Sequence, residues 1–350
     1  MKRLIIILIS LLLLANFAYS ANEGTTGAQF LKILVGSKAA GMGGAFVANG
    51  DDPSVLYYNP AAMTNMNKMG ILFNYVKWPA EISYSYIAFV APMGLVGAFG
   101  LQAGLMAMPS MEITTIEQPE GTGDYFSAMS YMVGVSYSKP FTDKLSAGLT
   151  VKYISESIVD ATSTVMAFDG GAIYKTGFKS LRIGMAIRNF GSEGQFTGGT
   201  VLTDTYQRWT DGQTDMNIYY KTDPYPIPMN FNFGVAYDFL EGPSNFLTGA
   251  LEFQNPNDGT ENVRAGFEYN FAKIVSLRLG YIFNYDKFVT MLEDFDDLTT
   301  NEKSENLTAG VGFKYGFSGV DVGIDYSYTE MGLLSDSYMN GHRVTLTIAF

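Results

Sequence analysis

The sequence predicts an all-β protein, a transmembrane antiparallel β-barrel of about fourteen strands preceded by a separate N-terminal segment. Three observations predict it. Segments of roughly ten residues alternate strictly between apolar and polar positions and follow one another almost without a break after residue 68. The connections between them are alternately short and long. The first twenty residues have the form of an export signal. Composition agrees: of 350 residues, 38 are Gly, 23 Tyr and 25 Phe, and only 16% are charged. Such a mixture suits bent strands with aromatic faces better than helices.

The elements can be justified in chain order. Lys2 and Arg3 precede the apolar run Leu4 to Leu14, and Ala18 and Ser20 are small residues spaced for cleavage before Ala21. Residues 1–20 are therefore expected to be a cleaved secretory signal peptide, since the run is too short to span a bilayer. Residues 21–68 do not alternate. Gly36, Gly41, Gly43, Gly44 and Gly50, then Asp51, Asp52 and Pro53, describe a tightly turning segment. No strand–turn–helix unit or P-loop lysine accompanies these glycines, so a phosphate loop is not expected.

Residues 69–350 carry the period-two pattern, with strands expected at 69–77, 81–91, 95–106, 128–139, 145–156, 164–175, 181–190, 230–239, 246–255, 262–271, 275–285, 306–316, 319–329 and 342–350. In "LTAGVGFKY", for example, Leu307, Ala309, Val311, Phe313 and Tyr315 oppose Thr308, Gly310, Gly312 and Lys314. The connections after the even-numbered strands are short. Several others are long, notably 107–127, 191–229, 286–305 and 330–341. This is the asymmetry of an outer-membrane barrel. A soluble β-sandwich also alternates, but its strands are usually about half as long, and it needs no aromatic residues at the strand ends. The closing segment "HRVTLTIAF" alternates up to Phe350, so the last strand is expected to pair with the first and leave no edge in lipid.

Charge and chemistry narrow the function. A net charge of −12 argues against nucleic acid, and the absence of cysteine removes disulfides and thiolate metal sites. The one histidine, His342, shares the parity of the lipid-facing residues, so no hydrolase centre is expected, and neither a metal nor a cofactor is implied. Glu293, Asp294, Asp296 and Asp297 make an acidic loop whose spacing fits no calcium loop. Glu252, Arg264, Glu268 and Arg278 point inward on adjacent strands, an alternating ladder that fits either a largely filled lumen or a wet one. In "TVMAFDGGAIYK" the alternation is disturbed, and Gly170–Gly171 is the expected bulge or kink. Loop 191–229 carries Tyr206, Trp209, Tyr219, Tyr220 and Tyr225 and is expected to be structured.

"FLKILVGSKAAGMGGAFVA" (30–48) and "YYNPAAM" (57–63) resemble the N-terminal signature of the PorV/PorQ family of outer-membrane proteins, related to the FadL-type transporters of long-chain fatty acids. The signature covers about a tenth of the chain. It implies a fourteen-stranded barrel whose N-terminal segment is a hatch in the lumen. Gly41, Gly43 and Gly44 would pack inside, and Asn59, Pro60 and Ala61 would form a turn near the hatch's end. In that superfamily a kinked strand opens a lateral route to the membrane, a role that would fall to Gly170–Gly171. The terminal Phe350 resembles the signal read by the barrel-insertion machinery. Two functions follow from the resemblance. One is a non-enzymatic accessory or shuttle barrel for secreted proteins in a type IX-like system. The alternative is FadL-like transport of long-chain fatty acids or other hydrophobic small molecules.

Overall fold

In the computed structural model, fourteen antiparallel strands close into one barrel. Residues 24–78, 81–198, 203–207, 215–219, 222–284, 307–332 and 338–350 are described. The strands are β1 (Gly70–Lys77), β2 (Ser83–Pro92), β3 (Ala98–Ala107), β6 (Ala128–Pro140), β7 (Leu145–Ile158), β8 (Ala161–Lys175), β9 (Arg182–Gly191), β12 (Asn230–Glu241), β13 (Phe246–Pro256), β14 (Asn262–Phe271), β15 (Val275–Asn284), β16 (Leu307–Phe317), β17 (Val320–Gly332) and β18 (Tyr338–Ala349). Two short hairpins lie in the long connections: β4 (Met111–Glu112) with β5 (Tyr125–Phe126), and β10 (Thr203–Gln207) with β11 (Asp215–Tyr219). Each expected strand has its counterpart.

Closure follows from one register. β1 pairs with β18 from Gly70↔Ala349 to Lys77↔His342, and the Phe350 amide donates to the Met69 carbonyl at 2.9 Å. Without this seam two strand edges would face lipid with unpaired backbone groups. Outward positions carry large apolar side chains such as Phe73, Leu101, Val135, Leu149, Phe267, Leu279 and Ile324, all exposed on the barrel's outer face. That face is the band a bilayer would cover.

The differences from the sequence reading lie at the strand ends. β7 and β8 run on to Ile158 and from Ala161, joined by a tight turn in which Val159 has φ 58°. The expected loop at 330–341 contracts, because the β17–β18 ladder continues to Gly332↔Tyr338. Polar residues at these ends hide the strand signal, while backbone pairing continues without it. His342 consequently lies inside β18 and not at its start. Its Nδ1 lies 2.7 Å from the Tyr326 hydroxyl on the outer face.

The N-terminal segment fills the lumen. Near the end with the long loops, the Gly27 amide donates to the Pro226 carbonyl, the Ala28 amide to Glu156, and Lys32 pairs with Asp258 at 2.6 Å. A short helix, Ser37–Gly41, lies against β15–β18. The 3-10 turn Pro60–Asn65 lies against β2, β3, β6, β7 and β8. Between them Met42, Phe46, Leu56 and Met63 are fully buried with wall residues Leu72, Tyr84 and Met132. Each such apolar side chain contributes about 1.5–3 kcal/mol of burial. The barrel's core is thus made between plug and wall.

Candidate functional site

The lumen can hold this plug because the wall withdraws at the points of closest backbone approach. Inward positions on eight strands are glycine: 100, 148, 171, 184, 234, 266, 280 and 310. A Cβ at any of them would meet plug atoms, for example 2.6 Å from the Ala61 nitrogen at Gly148 or 3.2 Å from the Gly41 Cα at Gly310. The plug answers in kind, since Gly43 and Gly44 have φ of 69° and 79°, and a Cβ on Gly44 would sit 2.7 Å from the Arg264 guanidinium. The abundance of glycine thus reflects close backbone approach as well as curvature.

Asn59, Pro60 and Ala61 form a turn. Asn59 Oδ1 accepts from the Ala61 amide at 3.0 Å, Pro60 opens the 3-10 turn, and Asn59 Nδ2 donates to the Val47 and Ala172 carbonyls at 2.8 and 3.1 Å. One side chain therefore ties the turn to the rest of the plug and to β8. Gly171 lies directly beneath it, where a Cβ would collide with Asn59. The structure so brings together two groups of residues that sequence reasoning had kept apart.

It also moves the irregularity. Pairing of β8 with β9 shifts between Phe168 and Gly170, and the extra residue belongs to β9. Arg188 and Asn189 both lie opposite Asp169, with Asn189 at φ 56°. The buried Asp169 holds this bulge, accepting from the Asn189 amide at 2.7 Å and pairing with Lys152 at 2.6 Å, while Lys152 also donates to Asn189 Oδ1 at 2.9 Å. β8 itself keeps its alternation. Val165 and Ile173 face inward because the plug offers them an apolar surface.

The inward charges act differently from a simple ladder. Glu268 and Arg278 pair at 2.9 Å, Arg278 continues to Asp325 at 2.5 Å, and Lys38 of the plug joins Glu268 at 3.2 Å. Glu252 faces Arg264 in register, but its carboxylate instead accepts the Phe46 and Val47 amides, both at 2.8 Å, and Asn232. Arg264 turns its Nε to Asn262. Lys152, Asp169 and Arg188, whose guanidinium stacks 4.6 Å from the Tyr57 ring, were missed by sequence reasoning. Their inward parity on long strands was the available signal.

On the outside, β18, β1, β2, β3 and β6 share an apolar groove of about 590 Å³. Phe73, Tyr75, Ile87, Leu105, Tyr131 and Val133 form its sides, and the small Ser85 and Ala103 leave its floor low. The inward residues Asn74, Tyr86, Gly104 and Met132 also border it, and the side chains of Asn74, Tyr86 and Met132 are buried behind it. Behind it Tyr86 donates to Gln102 at 2.7 Å, and Gln102 reaches the Leu56 carbonyl of the plug at 3.4 Å. Among the described residues no three His, Cys, Asp or Glu side chains converge as metal ligands. Residues 1–20, expected to be a signal peptide, and the acidic segment with Glu293, Asp294, Asp296 and Asp297 lie outside the described residues, as do Trp209 and Tyr220.

No protein-family model matches the chain, and no curated protein matches it. Solved structures do. The Pseudomonas putida toluene transporter TodX is similar over 89% of this chain and 96% of its own, at 12% identity and a TM-score of 0.54. The Ralstonia pickettii toluene transporter TbuX aligns over 90% and 97%, at 14% identity and a TM-score of 0.50. A Pseudomonas aeruginosa FadL homologue aligns over 90% and 97%, at 11% identity and a TM-score of 0.50. At such identities the likeness shows the fold: a closed fourteen-strand barrel of the FadL-like outer-membrane type. It shows that fold alone and does not reach the narrower PorV/PorQ assignment.

Proposed function

We propose that this protein is an outer-membrane transporter of hydrophobic small molecules, in which residues 24–69 act as the hatch and the groove over β18, β1–β3 and β6 is the lateral exit to lipid. The observation that carries this reading is the groove, an apolar depression at a place where inward and outward residues border the same space. Plug and wall share one buried apolar cluster, so an apolar solute that passes the outer mouth gains most by leaving sideways into the bilayer. Two of the similar structures are toluene transporters, which favours this reading over the secretion accessory. The accessory role rests on the N-terminal signature alone.

The test fills the groove. Ala103→Trp places a large ring on its low floor, facing lipid and away from the plug. Uptake of toluene or of a long-chain fatty acid by cells carrying this variant is expected to slow about tenfold, the effect of a barrier about 1.4 kcal/mol higher. Unchanged uptake by a barrel that still shows heat-modifiable migration would exclude this exit.

A further inference from the structure

The rim that carries the short turns treats its cations in two ways. Lys68 and Lys314 both reach Asp321, at 3.1 and 3.7 Å, Arg182 pairs with Asp238 at 2.7 Å, and Lys273 sits over the Phe246 ring at 5.5 Å. Lys139, Lys144, Lys175 and Lys179 form no ion pair with any described residue, and all four are exposed. Lys144 and Lys179 lie on two adjacent turns, Lys139 is next to last in β6 and Lys175 ends β8. β7 and β8 end side by side at Leu145↔Tyr174, and the Lys175 amide donates to the Lys144 carbonyl at 2.7 Å. Lys144 folds across, so that a Cβ on Gly177 would lie 2.9 Å from its ammonium. Between them Phe141 and Phe178 stand out from the same two turns, each 65% exposed. Asp143 is the one carboxylate in residues 139–145 and 174–181.

We infer that this patch binds the headgroup of an anionic phospholipid in the adjacent leaflet. A chain with net charge −12 that gathers four unpaired cations at one point of its rim has made a local anion site against its overall field. The two phenylalanines have the size and position to enter the interface, where aromatic residues collect, while the lysine stems reach along the bilayer edge to phosphate. A soluble anion would have no use for the phenylalanines. The inference rests on the barrel spanning a bilayer, and in an outer-membrane barrel the short turns face the periplasm. It needs no transport activity.

The experiment is native mass spectrometry of the whole barrel released from nanodiscs of equal phosphatidylglycerol and phosphatidylcholine with matched acyl chains. The wild type is expected to retain phosphatidylglycerol about tenfold over phosphatidylcholine. The quadruple variant Lys139→Gln, Lys144→Gln, Lys175→Gln, Lys179→Gln should retain both equally, and the corresponding quadruple Lys→Arg variant should restore the preference. Lys77→Gln, on the opposite rim, should leave it unchanged. Equal retention by the wild type, or a preference that survives the glutamine variant, would overturn the site. Because the readout is lipid retention, failure of the transport proposal would leave this result standing.

Discussion

At the scale of single residues, small side chains and buried charges decide where the plug sits. Gly170 and Gly171 are neighbours with opposite demands. A Cβ on Gly171 meets Asn59, whereas one on Gly170 meets nothing nearer than Leu149 at 3.6 Å on the outer face. Gly171→Ala is therefore expected to cost about 1–3 kcal/mol through overpacking, and Gly170→Ala close to nothing. Thermal unfolding of the two variants, followed by gel migration, checks the contrast. Arg278 is held by Glu268 and Asp325 together, so Arg278→Met leaves Asp325 without its cation and Glu268 with Lys38 alone, and is expected to cost about 3–5 kcal/mol. The double variant Arg278→Met, Glu268→Gln should recover part of that loss.

One plug contact predicts a pH dependence. Lys38 holds the Asp51 carboxyl below its ordinary value of 3.8, at about 2, although burial acts the other way. A carboxyl whose folded pKa is depressed stabilises the fold above its unfolded pKa and loses that contribution as pH falls through the folded value. The Lys38–Asp51 clasp, 2.6 Å long, is thus expected to be intact above about pH 4 and released between about pH 4 and 2. The Asp51 side chain is 69% exposed, so solvent screens the pair and the effect is small. Protease cleavage within residues 24–69 should rise in that window for the wild type and stay level for Asp51→Asn.

At the scale of elements, β18 is the strand on which closure depends. It pairs with β17 on one side and with β1 on the other, and Ser37 of the plug donates from its amide to Thr345 at 2.8 Å and from its hydroxyl to the Arg343 carbonyl at 3.1 Å. Deleting 342–350 removes all eight β1 partners and exposes two edges, so no heat-modifiable barrel is expected. Phe350→Ala is different. Its amide still bonds Met69, and its ring is half exposed on the outer face. Refolding into detergent should be normal, while insertion in cells should fall if the terminal aromatic is read by the insertion machinery. Pulse-labelling with protease protection separates the two outcomes.

At the scale of the whole molecule, the barrel and the plug are complementary surfaces formed from sequence far apart. Plug glycines meet Arg264 and Gly310, the Asn59 turn meets β7 and β8, and Glu252 uses a wall carboxylate to accept two plug amides. Uptake is therefore expected to require movement at this boundary as well as an open groove, and a disulfide from Ser37→Cys to Thr345→Cys, whose hydroxyls lie 2.9 Å apart, should lock it. Oxidation should then abolish uptake and a reductant restore it, measured in the same cells.

The sequence by itself determined the strand period, the count of fourteen, the alternation of short and long connections and the closing partner. These rest on local rules: side chains alternate every residue along a strand, and a membrane tolerates no open edge. The Asn-Pro-Ala turn was expected from the family resemblance and not from any such local rule. What the inward residues do was decided only by tertiary structure. Glu252 and Arg264 read as a pair and are not one, Gly171 read as a kink and is a seat for Asn59, and Lys152 and Asp169 gave no signal of belonging together. Each of those facts depends on which plug atom arrives at which wall position. The plug and its wall partners are separated by up to 308 residues, as Ser37 and Thr345 are. A periodic pattern fixes which way a side chain points, but only the folded lumen fixes what it meets there.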